Sequence, residues 1–162
     1  MIRSSSGALR RTLLSGLAAG IAGGVLLNLY LVLTISVFQR WTDPGTLMRF
    51  VASGILGEKG ASSNPSAALI GTLIFYTIAI VWGLAYAYIA STEPQLAERP
   101  LVSGIAFGLG VFVVMQIVEM TVRIWQWHPS SSPFLLFNSA LGHVLCFGLP
   151  VAYIVARWPD RS

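Results

Sequence analysis

The sequence predicts an all-α membrane protein: a four-helix transmembrane bundle with a short interfacial helix in the first non-cytoplasmic loop. Residues 1–162 form a single integral membrane domain in this expectation. Three observations predict it. The chain is 55% hydrophobic and 10% charged, with a mean hydropathy of +0.74, whereas soluble domains carry about a quarter charged residues. Four stretches are free of charge, between Arg11 and Arg40, Lys59 and Glu93, Arg99 and Glu119, and Arg123 and Arg157, each near or beyond the roughly 20 apolar residues that span a bilayer. Small residues also recur at four-residue spacing inside these stretches, as helices packed in lipid require.

The first helix is expected over 12–38. Arg3, Arg10 and Arg11 precede it, but the apolar run outlasts a signal-peptide core of about 7–15 residues and offers no clear cleavage site, so it is read as an uncleaved span. Gly16, Gly20 and Gly24 form a packing ridge that Asn28 continues; Asn28 suits an interhelical hydrogen bond or a ligand contact. In the loop 39–65, Thr42 or Asp43 can cap a helix with Pro44 at its first position and Gly57 at its end. Leu47, Phe50, Val51 and Ile55 give that helix one apolar face, with which it lies at the membrane interface or folds back over the bundle, beside the interfacial anchor Trp41. Residues 58–65 read as a polar turn. The second helix is expected over 66–91, a short loop over 92–100 and the third helix over 101–125. Trp125 and Trp127 mark the far interface, His128–Pro133 a turn, and 134–157 the fourth helix. Pro150 lacks the N–H that would bond the Cys146 carbonyl, which predicts a kink there.

Net charge is +4, scattered over termini and loops. That pattern speaks for membrane orientation and against nucleic acid as a partner. Six of the ten basic residues fall on the side of the termini, which places both termini in the cytoplasm. The single Cys146 excludes an intrachain disulfide and a multi-cysteine metal site. No nucleophile–base pair, phosphate loop or carboxylate pair is present, so an enzyme is not expected.

The two halves look related. Gly16 and Gly20 correspond to Gly104 and Gly108, and Gly83-Leu84-x-x-Ala87-Tyr88-Ile89 matches Gly148-Leu149-x-x-Ala152-Tyr153-Ile154. Two hairpins in the same orientation would make a parallel repeat.

Candidate chemistry is confined to a few polar residues in the apolar runs. Glu119 is the one acidic residue inside them, and a carboxylate at membrane depth faces water or a partner. Arg123, one turn on, is in the orientation that favours a structural ion pair with it. On a helical wheel Gly104, Gly108, Phe112, Met115, Gln116 and Arg123 lie on the face of Glu119. Ser139, His143, Cys146 and Pro150 share a face of the fourth helix. Asn28, Thr77, Gln116 and His143 are expected at similar depth, as one polar layer. That layer can tie the helices together by hydrogen bonds, relay protons or bind a solute through Glu119, Gln116 and His143, or offer His143 as the single axial ligand of a tetrapyrrole. No cofactor or metal is assigned.

Leu47-Met48-Arg49-Phe50-Val51-Ala52-Ser53-Gly54-Ile55-Leu56-Gly57, followed by a Tyr-rich second helix and a last helix with Gly148-Leu149-Pro150 and Arg157, resembles a group of uncharacterised four-helix bacterial inner-membrane proteins. The resemblance runs from the first helix to Arg157 and is most specific at Ser53–Gly57. Such relatives often carry a His early in the second helix, where this chain has Phe75-Tyr76. The resemblance implies a multi-pass protein of the bacterial inner membrane and carries no activity. The function expected is non-enzymatic: an accessory or structural subunit, in contact with the lipid bilayer and packed against itself or other membrane subunits. A small-solute or proton carrier, or a pigment- or haem-binding protein, is the alternative.

Overall fold

Every apolar stretch folds as a helix, because in hydrocarbon each backbone N–H and C=O must find its partner within the segment. The computed structural model describes residues 5–38, 43, 45–121 and 133–158. Its elements are α1 (Ser5–Phe38), α2 (Gly45–Ser63), α3 (Ala67–Thr92), α4 (Pro94–Glu98), α5 (Pro100–Thr121), α6 (Pro133–Gly142), a π-helical turn (His143–Gly148) and α7 (Leu149–Ala156). Four helices are long and apolar enough to cross a membrane, Gly7–Thr34, Ala67–Thr92, Pro100–Thr121 and Pro133–Ala156. The shortest has 22 residues, about 33 Å at ~1.5 Å per residue, against a hydrocarbon core of ~30 Å. Leu33, Leu69, Val102 and Phe137, one on each span, all remain exposed. An apolar surface that continuous is satisfied by lipid. The chain is a multi-pass membrane protein.

The expected ion pair of Glu119 with Arg123, the anchors Trp41, Trp125 and Trp127, and the turn at His128 lie outside the described residues.

Between the first two spans, Asp43 caps α2. Its carboxylate accepts hydrogen bonds from the Arg49 guanidinium and, at 2.8 Å, from the Gly45 N–H. These bonds, Arg49 first, hold the Asp43 carboxyl below its ordinary range. Gly57 takes φ 71°, a conformation that favours glycine, and breaks α2 there. Residues 58–63 then continue as helix where the sequence suggested a turn. The inward face is the expected one up to Val51, with Phe50 and Val51 half-buried toward the bundle, and Ile55 leaves it. Leu47, Met48 and Ala52 are buried while Ile55 is 73% exposed, because α2 folds back along α3. The contact is made at Gly71, where a Cβ would run into the Met48 carbonyl oxygen. The 92–100 connection is likewise tighter than a loop, since Pro94 starts the one-turn α4.

The bundle is held by glycines at two equivalent crossings. A Cβ on Gly83 would collide with the backbone of Gly16 and Gly20; a Cβ on Gly148 would collide with the backbone of Gly104 and Gly108. The sequence match of the two halves is therefore also a match of packing. One difference separates them. Gly20 lies over Ala79 and Ile80, four and three residues before Gly83, whereas Gly108 lies over His143 and Val144, five and four residues before Gly148. The additional residue is accommodated by the π turn, in which the Leu149 N–H reaches back five residues to the Val144 carbonyl. The irregularity expected as a kink at Pro150 is thus one widened turn ahead of it.

The hairpins meet unequally. The α1 helix packs closely on the fourth span, with Gly23 against the Phe147 ring, whereas α3 and α5 approach mainly through rings. Phe107 lies 4.8 Å from Tyr86, 6.1 Å from Trp82 and 6.2 Å from Phe147. At one end the Tyr86 hydroxyl bonds Ser103 Oγ (2.9 Å), which donates to the Leu96 and Arg99 carbonyls. Arg11 donates to the Trp158 carbonyl at 3.1 Å, joining the first and last spans.

The glycine crossings give a test. Gly148→Val should lower stability by about 2 kcal/mol or more, the scale of overpacking a closed contact, in reversible unfolding from mixed micelles. Gly110, whose Cβ position has no neighbour within 4 Å, should accept Val within about 0.5 kcal/mol.

Candidate functional site

The wide α3–α5 side and the fold-back of α2 leave a cavity of about 210 Å³ inside the bundle, lined by all four spans and closed on one side by Leu47, Phe50 and Val51 of α2. Most of its lining is hydrocarbon or aromatic ring. Its polar groups are Thr34, Gln116, Glu119, Asn138, Ser139 and His143.

On α5, Gln116 and Glu119 sit one turn apart and turn inward with Met115, while Ile117 and Val118 face out. Gln116 Nε2 is 3.5 Å from Glu119 Oε2, the outer limit of a hydrogen bond. Gln116 Oε1 is fully buried and has no donor among the described residues. A buried acceptor left in that state costs about 1–3 kcal/mol, so it needs a reason.

On the fourth span His143 opens the π turn and is 8% exposed. Its Nδ1 is 2.8 Å from the Ser139 carbonyl. A carbonyl only accepts, so Nδ1 carries the hydrogen, and Nε2 of the neutral ring keeps its lone pair. The Phe112 ring stands edge-on to it at 5.6 Å. A turn and a half earlier, Asn138 Oδ1 accepts from the Tyr30 hydroxyl at 2.7 Å, which ties α1 to α6 and leaves the Asn138 NH2 as a donor.

The repeat explains how the cavity is composed. Aligning the glycine crossings pairs Leu27 with Met115, Leu31 with Glu119, Phe75 with Ser139, Ala79 with His143, and Trp82 with Phe147. Both members of every pair line the cavity. It therefore lies between the hairpins, and Glu119, Ser139 and His143 all come from the second one, opposite Leu31, Phe75 and Ala79 of the first. One wall is polar and the facing wall is apolar.

Of the residues singled out from sequence, Gln116, Glu119 and His143 come together at this cavity. Asn28 does not; it lines a separate shallow groove with Thr72 and Tyr76. Thr77 is exposed and its hydroxyl returns to the Leu73 carbonyl. The expected layer thus divides across α1 and α3. Cys146 is half-buried against the core and outside the cavity lining. Gly16, Gly20, Gly24, Gly104 and Gly108 are all buried in contacts within the chain. Asn138 and Tyr30 were not singled out; an amide in the fourth apolar stretch was the available signal. Among the described residues no three His, Cys, Asp or Glu side chains gather to hold a metal ion. The space beside His143 suits a ligand smaller than a tetrapyrrole, being below the ~300 Å³ at which drug-sized sites begin.

Fold and cavity together define a multi-pass membrane protein whose four spans enclose a mostly apolar chamber with one polar wall. No protein-family model, curated protein or solved structure matches the chain.

The orphaned amide predicts a stability gain on its removal. Gln116→Leu should stabilise the ligand-free protein by about 1 kcal/mol, whereas Tyr30→Phe should cost about 0.6 kcal/mol, the average interhelical hydrogen bond in lipid. Both are read by unfolding in mixed micelles, and a destabilised Gln116→Leu would show that Oε1 has a partner.

Proposed function

We propose that the protein is a non-enzymatic binder or carrier of a small, mostly apolar molecule, taken from the bilayer into the interhelical cavity. The observation that supports it is the convergence of Gln116, Glu119 and His143 on one partly open cavity large enough for a ligand. An apolar cavity of about 150 Å³ already admits benzene, and this one exceeds it. Polar groups that served only to tie helices together would be paired with one another; Gln116 Oε1 has no partner among the described residues. The membrane is that of a bacterial cytoplasm in this proposal, with both termini on the cytoplasmic side.

One observation favours a second role, as a subunit of a larger membrane assembly. The glycines that suggested it from sequence are used inside the bundle, but Gly110 faces outward with no neighbour within 4 Å, one turn from the equally exposed Ala106. Small residues at that spacing let a second helix approach.

The two roles are tested separately. Binding of propylbenzene in lipid nanodiscs, followed by NMR, should be saturable, and Val111→Phe, which puts a larger side chain into the cavity wall, should abolish it while leaving the protein folded. Unsaturable partitioning identical in both proteins would sink the binder. Gly110→Leu should weaken self-association or co-purification of a subunit at least about tenfold without changing ligand binding; unchanged association removes the α5 ridge from any interface.

A further inference from the structure

With the cavity taken as a binding site, the reading on which this inference rests, the composition of its two walls says more about the ligand than its size. The apolar wall from the first hairpin presents Leu31, Phe75 and Ala79, which can hold a hydrocarbon or aromatic body by contact alone. The opposite wall carries donors in Asn138 and Ser139 but also two acceptors that no donor among the described residues meets. Gln116 Oε1 is fully buried and has no partner among the described residues, and the bond from His143 Nδ1 to the Ser139 carbonyl leaves Nε2 with a lone pair and no hydrogen. Both groups are complete only when something donates to them. The Thr34 hydroxyl, a donor in the lining, is already committed to the Tyr30 carbonyl at 2.9 Å, and the Asn138 NH2 can only donate. A group that gives one hydrogen bond and can receive another matches this set, and a hydroxyl does both. A charged head, even a cation facing Glu119, would have to leave water for a cavity walled largely by carbon, which is far costlier than burying a neutral donor.

We infer that the molecule bound here is an uncharged amphiphile with a hydroxyl head, such as a phenol or an alcohol, oriented with the hydroxyl on the second hairpin and the apolar body on the first. Its hydroxyl donates to His143 Nε2, or to Gln116 Oε1 once that amide turns toward the guest. The repeat supplies the geometry: at three levels of the cavity, Leu31 with Glu119, Phe75 with Ser139 and Ala79 with His143, the apolar residue of the first half is matched by a polar residue of the second.

The discriminating experiment compares 4-propylphenol with its methyl ether, 4-propylanisole, and with propylbenzene, on the full-length protein in lipid nanodiscs. Free concentrations within the bilayer are set from empty discs. The ether keeps the oxygen as an acceptor and loses only the donated hydrogen. On the wild-type protein the phenol should bind at least about tenfold more tightly than the ether, the scale of satisfying a buried acceptor. That ratio should fall to within about threefold in Gln116→Leu or in His143→Phe, whichever removes the acceptor used, with saturable propylbenzene binding in the same variant as the check that the cavity still admits a guest. Equal binding of phenol and ether by the wild type would overturn the donor requirement and leave the cavity a binding site for apolar molecules. A phenol preference that survives both Gln116→Leu and His143→Phe would overturn the assignment of the polar wall. Failure of all three probes to bind would overturn the cavity as a site and this inference with it.

Discussion

The structure depends on how closely helix backbones can approach where no hydrophobic force pushes them together. In lipid, association rests on contact and on a few polar bonds. Here contact is obtained by placing glycine on both sides of a crossing, Gly83 over Gly16 and Gly20, and Gly148 over Gly104 and Gly108. These crossings fix each hairpin as a unit. They also free the remaining surfaces: since the hairpins hold themselves, the side where α3 faces α5 can remain filled by rings, with room behind them. The cavity follows from the tightness of the crossings elsewhere.

Much of this was legible in the chain. Four charge-free stretches separated by charged or Pro-rich breaks leave few ways to be arranged, and their ends fall within a few residues of the observed helices, α1 beginning earlier at Ser5. The glycine spacings named the crossing faces before any partner was known. What a helical wheel could not supply was the identity of the facing helix. Asn28 and Gln116 stand at equivalent positions of the repeat, yet Gln116 lines the cavity and Asn28 the outer groove. Gly71 carried no signal either, because its neighbour, the Met48 carbonyl, belongs to a segment read as interfacial or folded back over the bundle, with no facing helix specified. The site was half legible: polar residues in apolar runs are conspicuous, but their convergence depends on a turn whose hydrogen bonding departs from the α pattern.

The polar members of the site have different standings. His143 is oriented by the backbone of its own helix, through the Ser139 carbonyl, so its ring direction does not depend on a ligand. Asn138 is oriented by Tyr30 of another helix and so also serves the bundle. Gln116 has only the long contact to Glu119 and is the group most dependent on what enters. A rigid base, a structural amide and an adaptable amide on one wall give a preformed site with a single adjustable contact.

The π turn has a consequence beyond its own six residues. An extra residue in a helix advances everything before it by about 100° relative to everything after it. The ten residues of α6 are therefore re-aimed together, while α7 keeps its hold on the glycine crossing. If the hairpins descend from one ancestor, a lone insertion altered the lining of a chamber at several levels at once and left the scaffold untouched. Point substitutions would have needed many steps, each viable, to do the same. The two halves are equivalent at their glycine crossings and unequal in the interior between them, and an unequal interior can tell one end of a guest from the other.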